Sequence, residues 1–243
     1  MKFYQSNLLK KFSNITHAFT TKESGNLALH VNDNPSNVIN NHKYLATELN
    51  YNKKELVYMK QIHSDIVHIV NNNDNFENPP TCDALITNQK NTPLMVMVAD
   101  CSPIIFYDSK KEVIAVAHAG RKGAFENIIN NVIQSFLNDF NSDINDIVVV
   151  IGASIKECCY EVGSEIYNEA NKLNLEYSIQ KKDNKFYLNI SKILKNQLFK
   201  VGINEKNIEI SNECSCCNDS KYFSYRANKN TGRFAGVILL KNN

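Results

Sequence analysis

Hydrophobic residues follow two rhythms along this chain. The first is short and continuous. Leu94-Met95-Val96-Met97-Val98-Ala99 is an unbroken apolar run, the pattern of a strand buried on both faces. It stops at Asp100-Cys101-Ser102-Pro103, where Pro103 lacks an amide donor and marks the break. Ile104-Ile105-Phe106-Tyr107 predicts a second strand, and Val113-Ile114-Ala115-Val116-Ala117-His118 a third. Only the turn residues Asp108-Ser109-Lys110-Lys111 and Glu112 separate them, so the pair reads as an antiparallel hairpin. Further strands are expected at Ile147-Val148-Val149-Val150-Ile151, which ends at Gly152, and at Gly236-Val237-Ile238-Leu239-Leu240. A shorter alternating stretch is Ile66-Val67-His68-Ile69-Val70.

The second rhythm is helical. Ile128, Ile129, Val132, Ile133, Phe136 and Leu137 recur at the spacing of one helix face. A helix is expected over 164–173, and another over 190–201 with Ile193, Leu194, Leu198 and Val201 on one side. Strands mixed with helices, some joined by hairpins, give an α+β (mixed α/β) class. The expected architecture is a single domain, with a large mixed, mostly antiparallel sheet flanked by helices. Asn71-Asn72-Asn73-Asp74-Asn75, running on to Pro79-Pro80, is an exposed loop within it and need not be a boundary.

Composition narrows the function classes. The chain has 243 residues, enough for a sizeable core, and a formal net charge of +2. Its lysines are scattered among acids and asparagines, without the basic stripe of a nucleic-acid binder. No apolar run approaches the roughly 20 residues that span a bilayer. The start, Met1-Lys2-Phe3-Tyr4-Gln5, lacks the apolar core of a secretory leader. The 7 cysteines are therefore expected as thiols or metal ligands in a reducing compartment, the cytoplasm.

Three chemistry-bearing residues sit where strands end or turn. His63 precedes the alternating segment, Cys101 follows the buried strand, and His118 ends the third strand before Gly120-Arg121-Lys122-Gly123. Two imidazoles and a thiolate make a set of three ligands for a catalytic zinc, which keeps a fourth position open. The same residues allow a rival reading. Cys101 and His118 could be a nucleophile and its base, with Asp100 or Asp83 orienting the base. Taken singly, each residue reads first as a surface or hydrogen-bonded structural histidine, or as a buried thiol. Arg121 and Lys122 lie between a strand and a helix start, a place for an anion or for solvated charges. Arg226 and Arg233 flank Asn228-Lys229-Asn230-Thr231-Gly232 and invite the same two readings. Cys158-Cys159 and Cys214-Ser215-Cys216-Cys217 read first as free thiols, since C-x-C-C is not the usual C-x₂-C knuckle of structural zinc.

Several segments, in order, resemble one family. Gln61-Ile62-His63-Ser64 is similar to its Gln-Val-His-Gly, and Asp83-Ala84-Leu85-Ile86-Thr87 to its Asp-Ala-Leu-Val-Thr. Ala99-Asp100-Cys101-Ser102-Pro103-Ile104 matches Ala-Asp-Cys-x-Pro-Val, and His118-Ala119-Gly120-Arg121-Lys122-Gly123 resembles His-Ala-Gly-Trp-Arg-Gly. His17-Ala18-Phe19-Thr20-Thr21-Lys22, Cys159-Tyr160-Glu161-Val162, Phe223-Ser224-Tyr225-Arg226 and Thr231-Gly232-Arg233 complete a resemblance that spans almost the whole of 1–243. The family is the bacterial laccase-domain, or multicopper polyphenol oxidase-like, family of zinc-dependent purine nucleoside phosphorylases and adenosine deaminases.

That resemblance implies a metal held by His63, Cys101 and His118, zinc with copper as the other ion such ligands accept. It implies phosphorolysis of adenosine, inosine, guanosine and methylthioadenosine, and deamination of adenosine. Catalytic roles fall to Asp100, Cys101 and His118, and anion contacts to Lys22, Arg121, Lys122 and Arg226. Lys22 stands where the family has Arg, Arg121 where it has Trp, Lys122 where it has Arg and Ala153 where it has Pro. These changes bear on substrate preference and leave the metal ligands in place. Copper-dependent phenol oxidation is discounted, because several copper centres need more histidines than the 6 present. A Cys-His hydrolase and a non-catalytic module bearing a structural metal remain as alternatives.

Overall fold

The computed structural model describes residues 2–242. Met1 and Asn243, the ends of the expected domain, lie outside the described residues. The strands run in chain order as β1 (Phe3–Tyr4), β2 (Ile15–Thr20), β3 (Val57–Tyr58), β4 (Val67–Ile69) and β5 (Ala84–Thr87). Then come β6 (Leu94–Val98), β7 (Ser102–Asp108), β8 (Val113–Ala119), β9 (Ile147–Ile151) and β10 (Glu161–Val162). The last are β11 (Ile179–Lys182), β12 (Lys185–Leu188), β13 (Ile208–Ile210) and β14 (Phe234–Leu240). The helices are α1 (Pro35–Leu49), α2 (Arg121–Phe125), α3 (Ile128–Phe140), α4 (Ser164–Lys172) and α5 (Ile190–Lys200).

The class is α+β, and the strands are divided among three mostly antiparallel sheets. Five strands pair in the order β1-β2-β14-β6-β3, six in the order β13-β9-β7-β8-β5-β4, and three in the order β10-β12-β11. The alternation of side chains along each strand explains the layering. In β7, Ile105 and Tyr107 face the five-stranded sheet while Ile104 and Phe106 face α3 and α5. In β6, Leu94, Val96 and Val98 meet β7 to β9, while Met95 and Met97 turn towards α1. Both large sheets are thus buried on two faces. That is why their strands read as continuous apolar runs although most pairings are antiparallel.

Asn34 caps α1 by accepting from the Ser36 amide, with Pro35 in the first turn. The helix buries Val38, Leu45 and Leu49, but its intervening asparagines hid that stripe from the sequence reading. In α3, Ile129, Val132, Ile133 and Phe136 are fully buried against the six-stranded sheet, each contributing roughly 1.5–3 kcal/mol of burial.

One break is misplaced in the sequence reading. Pro103 lies inside β7, not between strands. It sits opposite His118, whose own amide donates to the Asp83 carbonyl on the other side. The ladder therefore requires no donor from Pro103 towards β8. The chain turns instead at Asp100, which adopts a left-handed φ of 89°.

Candidate metal centre and its cavity

β8 carries His118 at its end, the β6–β7 turn carries Cys101, and the loop before β4 carries His63. Their ligand atoms all lie within 4.8 Å of one another. Cys101 Sγ is 3.9 Å from His63 Nε2, and the two imidazole rings meet edge to face at 4.7 Å. Residues far apart in sequence converge here because β7 and β8 pair in register at Ser102 and Ala119.

Asp83 organises the site from beneath. It is fully buried. Its Oδ1 accepts from His118 Nδ1 at 2.8 Å and from the His63 amide at 3.1 Å. Its Oδ2 accepts from the Ser64 amide and hydroxyl, both at 2.7 Å, and from the Ile62 amide at 3.2 Å. One carboxylate therefore fixes the His118 ring and the backbone turn on which His63 sits at a left-handed φ of 57°. With Nδ1 engaged, Nε2 is the His118 nitrogen left for an ion. Gln61 anchors the same turn by exchanging two amide hydrogen bonds with the Met97 backbone at 2.8 and 3.0 Å.

Electrostatics favour the ligand forms. Burial raises the Asp83 carboxyl, but hydrogen bonds from His118 and Ser64 outweigh it and bring the pKa down to about 2. Burial likewise opposes ionisation of Cys101, yet the charge and hydrogen bond of His118, with His63, hold the thiol down to about 6. His118 is pushed up to about 9, burial being overcome by the Cys101 thiolate and Asp83. A thiolate at neutral pH and two imidazoles, one aimed by a carboxylate, form a donor set suited to zinc or copper.

Gly120 follows from this crowding. A Cβ there would stand 2.9 Å from Cys101 Sγ and 3.1 Å from His63 Cδ2. Gly120→Ala is expected to displace both ligands and weaken metal affinity by about tenfold or more. Competition with a chromogenic chelator measures it, and an unchanged affinity would contradict the packing.

The three side chains open into a cavity of about 800 Å³. Arg121 and Arg226 line it, as do Arg233, Lys229, His30, Tyr160 and Tyr225. Arg121 also pairs with Glu169 at 2.6 Å, and Arg226 stacks over Tyr160 at 5.4 Å. Lys22 and Lys122 are absent from this lining. Lys22 donates to the Asp219 carbonyl, and Lys122 pairs loosely with Glu126 at 3.7 Å on the next helical turn. The short helix α2 turns Lys122 outward while Arg121 faces the cavity. His30 and Lys229 were not singled out from sequence. They lie in polar loops with no periodicity to mark a face.

Asp100 faces the cavity but is engaged on both oxygens. Oδ1 accepts from the Ser215 hydroxyl and Oδ2 from the Arg226 amide, each at 2.7 Å. Its carbonyl accepts from the Ile155 amide. These contacts hold a residue at positive φ, a conformation that costs of order 1–3 kcal/mol, beside Cys101. The remaining buried histidines are accounted for separately. His17 accepts from the Ser6 amide and His42 contacts the Leu27 carbonyl. Burial keeps each neutral, with a pKa near 4.

Residues 14–241 match the model of the multi-copper polyphenol oxidoreductase laccase family. The chain belongs to this family. Within it, a purine nucleoside phosphorylase of Clostridium acetobutylicum is 35% identical, covering 92% of this chain and 91% of that protein. The purine nucleoside phosphorylase YlmD of Bacillus subtilis is 29% identical, over 92% of this chain and 87% of its own. Among solved structures, the hypothetical protein YfiH of Bacillus licheniformis superposes with a TM-score of 0.91 at 29% identity, over 98% of this chain and 99% of that one. Family membership agrees with the motifs around His63, Cys101 and His118. His17 and His42 are engaged with the Ser6 amide and the Leu27 carbonyl, away from this set of ligands. Among the described residues no helix is long and apolar enough to cross a membrane.

Proposed function

We propose that this chain, acting as one unit, is a zinc-dependent enzyme of purine nucleosides. It cleaves adenosine, inosine and guanosine with phosphate, and it deaminates adenosine at the same site. One observation carries the reading: an aimed His-Cys-His set opens into a cavity walled by arginines, in a chain whose relatives are named purine nucleoside phosphorylases. When bound, zinc supplies Lewis acidity, which activates water or stabilises a leaving group.

The protein's own residues do the rest. His63, Cys101 and His118 hold the ion, and Asp83 keeps His118 in the tautomer that offers Nε2. Arg121, Arg226 and Arg233 supply positive charge along one cavity, which suits the phosphate anion. Tyr160 and Tyr225 present ring surface to a purine. Asp100 acts as a positioning residue through Ser215 and the Arg226 amide. Lys22 and Lys122 are given no substrate contact.

Phosphate dependence is the test. Inosine should yield hypoxanthine and ribose 1-phosphate only when phosphate is present. Arg226→Ala should raise KM for phosphate by about tenfold, the weight of one charge-assisted hydrogen bond at a solvent-facing site. Adenosine deamination should fall less, since the backbone amide at 226 still holds Asp100. Equal losses in the two reactions would remove Arg226 from the phosphate site. Hypoxanthine release without phosphate would point to a hydrolase.

The Cys101–His118 pair also suits a nucleophile and base, given the lowered thiol and raised imidazole. Chelation separates the two readings: a thiol hydrolase keeps its turnover when metal is removed.

A further inference from the structure

A second cluster of ligand atoms lies away from the centre described above. Cys158, Cys159, Cys214 and Cys217 bring their sulfurs within 4.8 Å of one another. Cys217 Sγ is 3.5 Å from Cys158 Sγ and 3.3 Å from Cys159 Sγ. All four are free thiols. Four sulfurs around a tetrahedral ion, each at about 2.3 Å, would stand about 3.8 Å apart. The cluster is already close to that spacing.

The local folds resemble metal loops. Cys158 and Cys159 sit in a turn closed by the Cys159 and Tyr160 amides donating to the Lys156 carbonyl. Cys214 is bridged to Ser154 in parallel fashion, and the Asn218 amide turns back onto the Cys214 carbonyl. Of the Cys214-Ser215-Cys216-Cys217 run, the fold gathers Cys214 and Cys217 and leaves Cys216 outside. The pair used is therefore C-x₂-C, the knuckle spacing that the bare sequence pattern obscured. The Lys156 amide donates to Cys214 Sγ at 3.4 Å, as backbone donors do to metal-bound thiolates.

We propose that Cys158, Cys159, Cys214 and Cys217 form a closed four-thiolate site for a zinc ion. Thiols that are protonated beforehand release their protons to solvent on binding. No position remains open for water, so the site is structural. It ties the 214–217 turn to the 156–160 turn. Between its ligands, Ser215 donates to Asp100, the residue before Cys101. Tyr160, which follows Cys159, carries Arg226 on its ring. The clasp thus steadies two residues that shape the first cavity.

Metal counting on purified full-length protein tests this without reference to turnover. Zinc-loaded wild type should hold two ions per chain, Cys217→Ser one and His118→Ala one. Cobalt loading should give the intense near-ultraviolet band of thiolate-to-cobalt charge transfer. Most of that band should persist in His118→Ala and vanish in Cys217→Ser. Should Cys217→Ser fail to fold, thiol titration of native wild type decides. Four more thiols should react after chelation than before, beyond Cys101. One zinc in wild type with none in His118→Ala would overturn the proposal, as would thiol reactivity unchanged by chelation at all four positions. Either result leaves the reading of the first site intact, because that site is counted separately by His118→Ala.

Discussion

Cys101→Ala is expected to lose the ion of the His63–Cys101–His118 centre and turnover on every nucleoside, while remaining folded. Cys101 is partly exposed and belongs to the rim of its apolar cluster, so its removal opens no large cavity. What goes is the one anionic ligand, which leaves two imidazoles to hold a divalent cation. The lost Lewis acidity is worth several kcal/mol in the transition state, so turnover should fall on the order of 10³-fold or more. Zinc content and steady-state kinetics on the same sample check both halves. Normal turnover at unchanged zinc would remove Cys101 from the site.

The second large effect falls on Asp83, which touches no substrate. Its carboxylate takes hydrogen bonds from His118, Ser64, His63 and Ile62. Asp83→Ala leaves a buried imidazolium and several amides without partners, which should cost about 3–5 kcal/mol of stability. Asp83→Asn keeps the shape but not the charge. It should fold and bind zinc 10–100-fold more weakly, the scale seen for partners of metal-bound histidines. Chelator competition on the folded Asn variant separates this positioning role from a purely structural one. Unchanged affinity would contradict it.

The same group sets an acid limit for the metal-free protein. Its pKa is depressed from 3.8 to about 2 in the fold. The stability it contributes is therefore complete above about 4 and is lost as pH falls through about 2. In Asp83→Asn that part of the acid unfolding profile should flatten, as read by far-ultraviolet circular dichroism.

Much of this arrangement was legible beforehand. β6, β8 and β9 announced themselves because both faces are buried, and α3 and α5 because one apolar stripe is. His63, Cys101 and His118 stood out at strand ends, where rigid elements fix a side chain. Other features were hidden for physical reasons. The polar residues interleaved in α1 masked its buried face. The division of the strands into separate sheets depends on long-range pairings such as β2 with β14, which leave no local pattern. Asp83 was one of two acids, with Asp100, read as able to orient His118, but its hold on the 62–64 turn depends on donors that only the fold brings to it. Lys22 and Lys122 were drawn in by charge and motif position, but side-chain direction turned both away. Cys214 and Cys217 became a pair only when the fold excluded Cys216.

The most direct test incubates adenosine and phosphate with chelated protein, then with the same protein after zinc is restored, and identifies the products. No product should form after chelation, and adenine with ribose 1-phosphate, together with inosine, should appear once zinc returns. Full turnover in the chelated sample, or none in a sample whose His63–Cys101–His118 centre is loaded with zinc, would contradict zinc-dependent action on purine nucleosides.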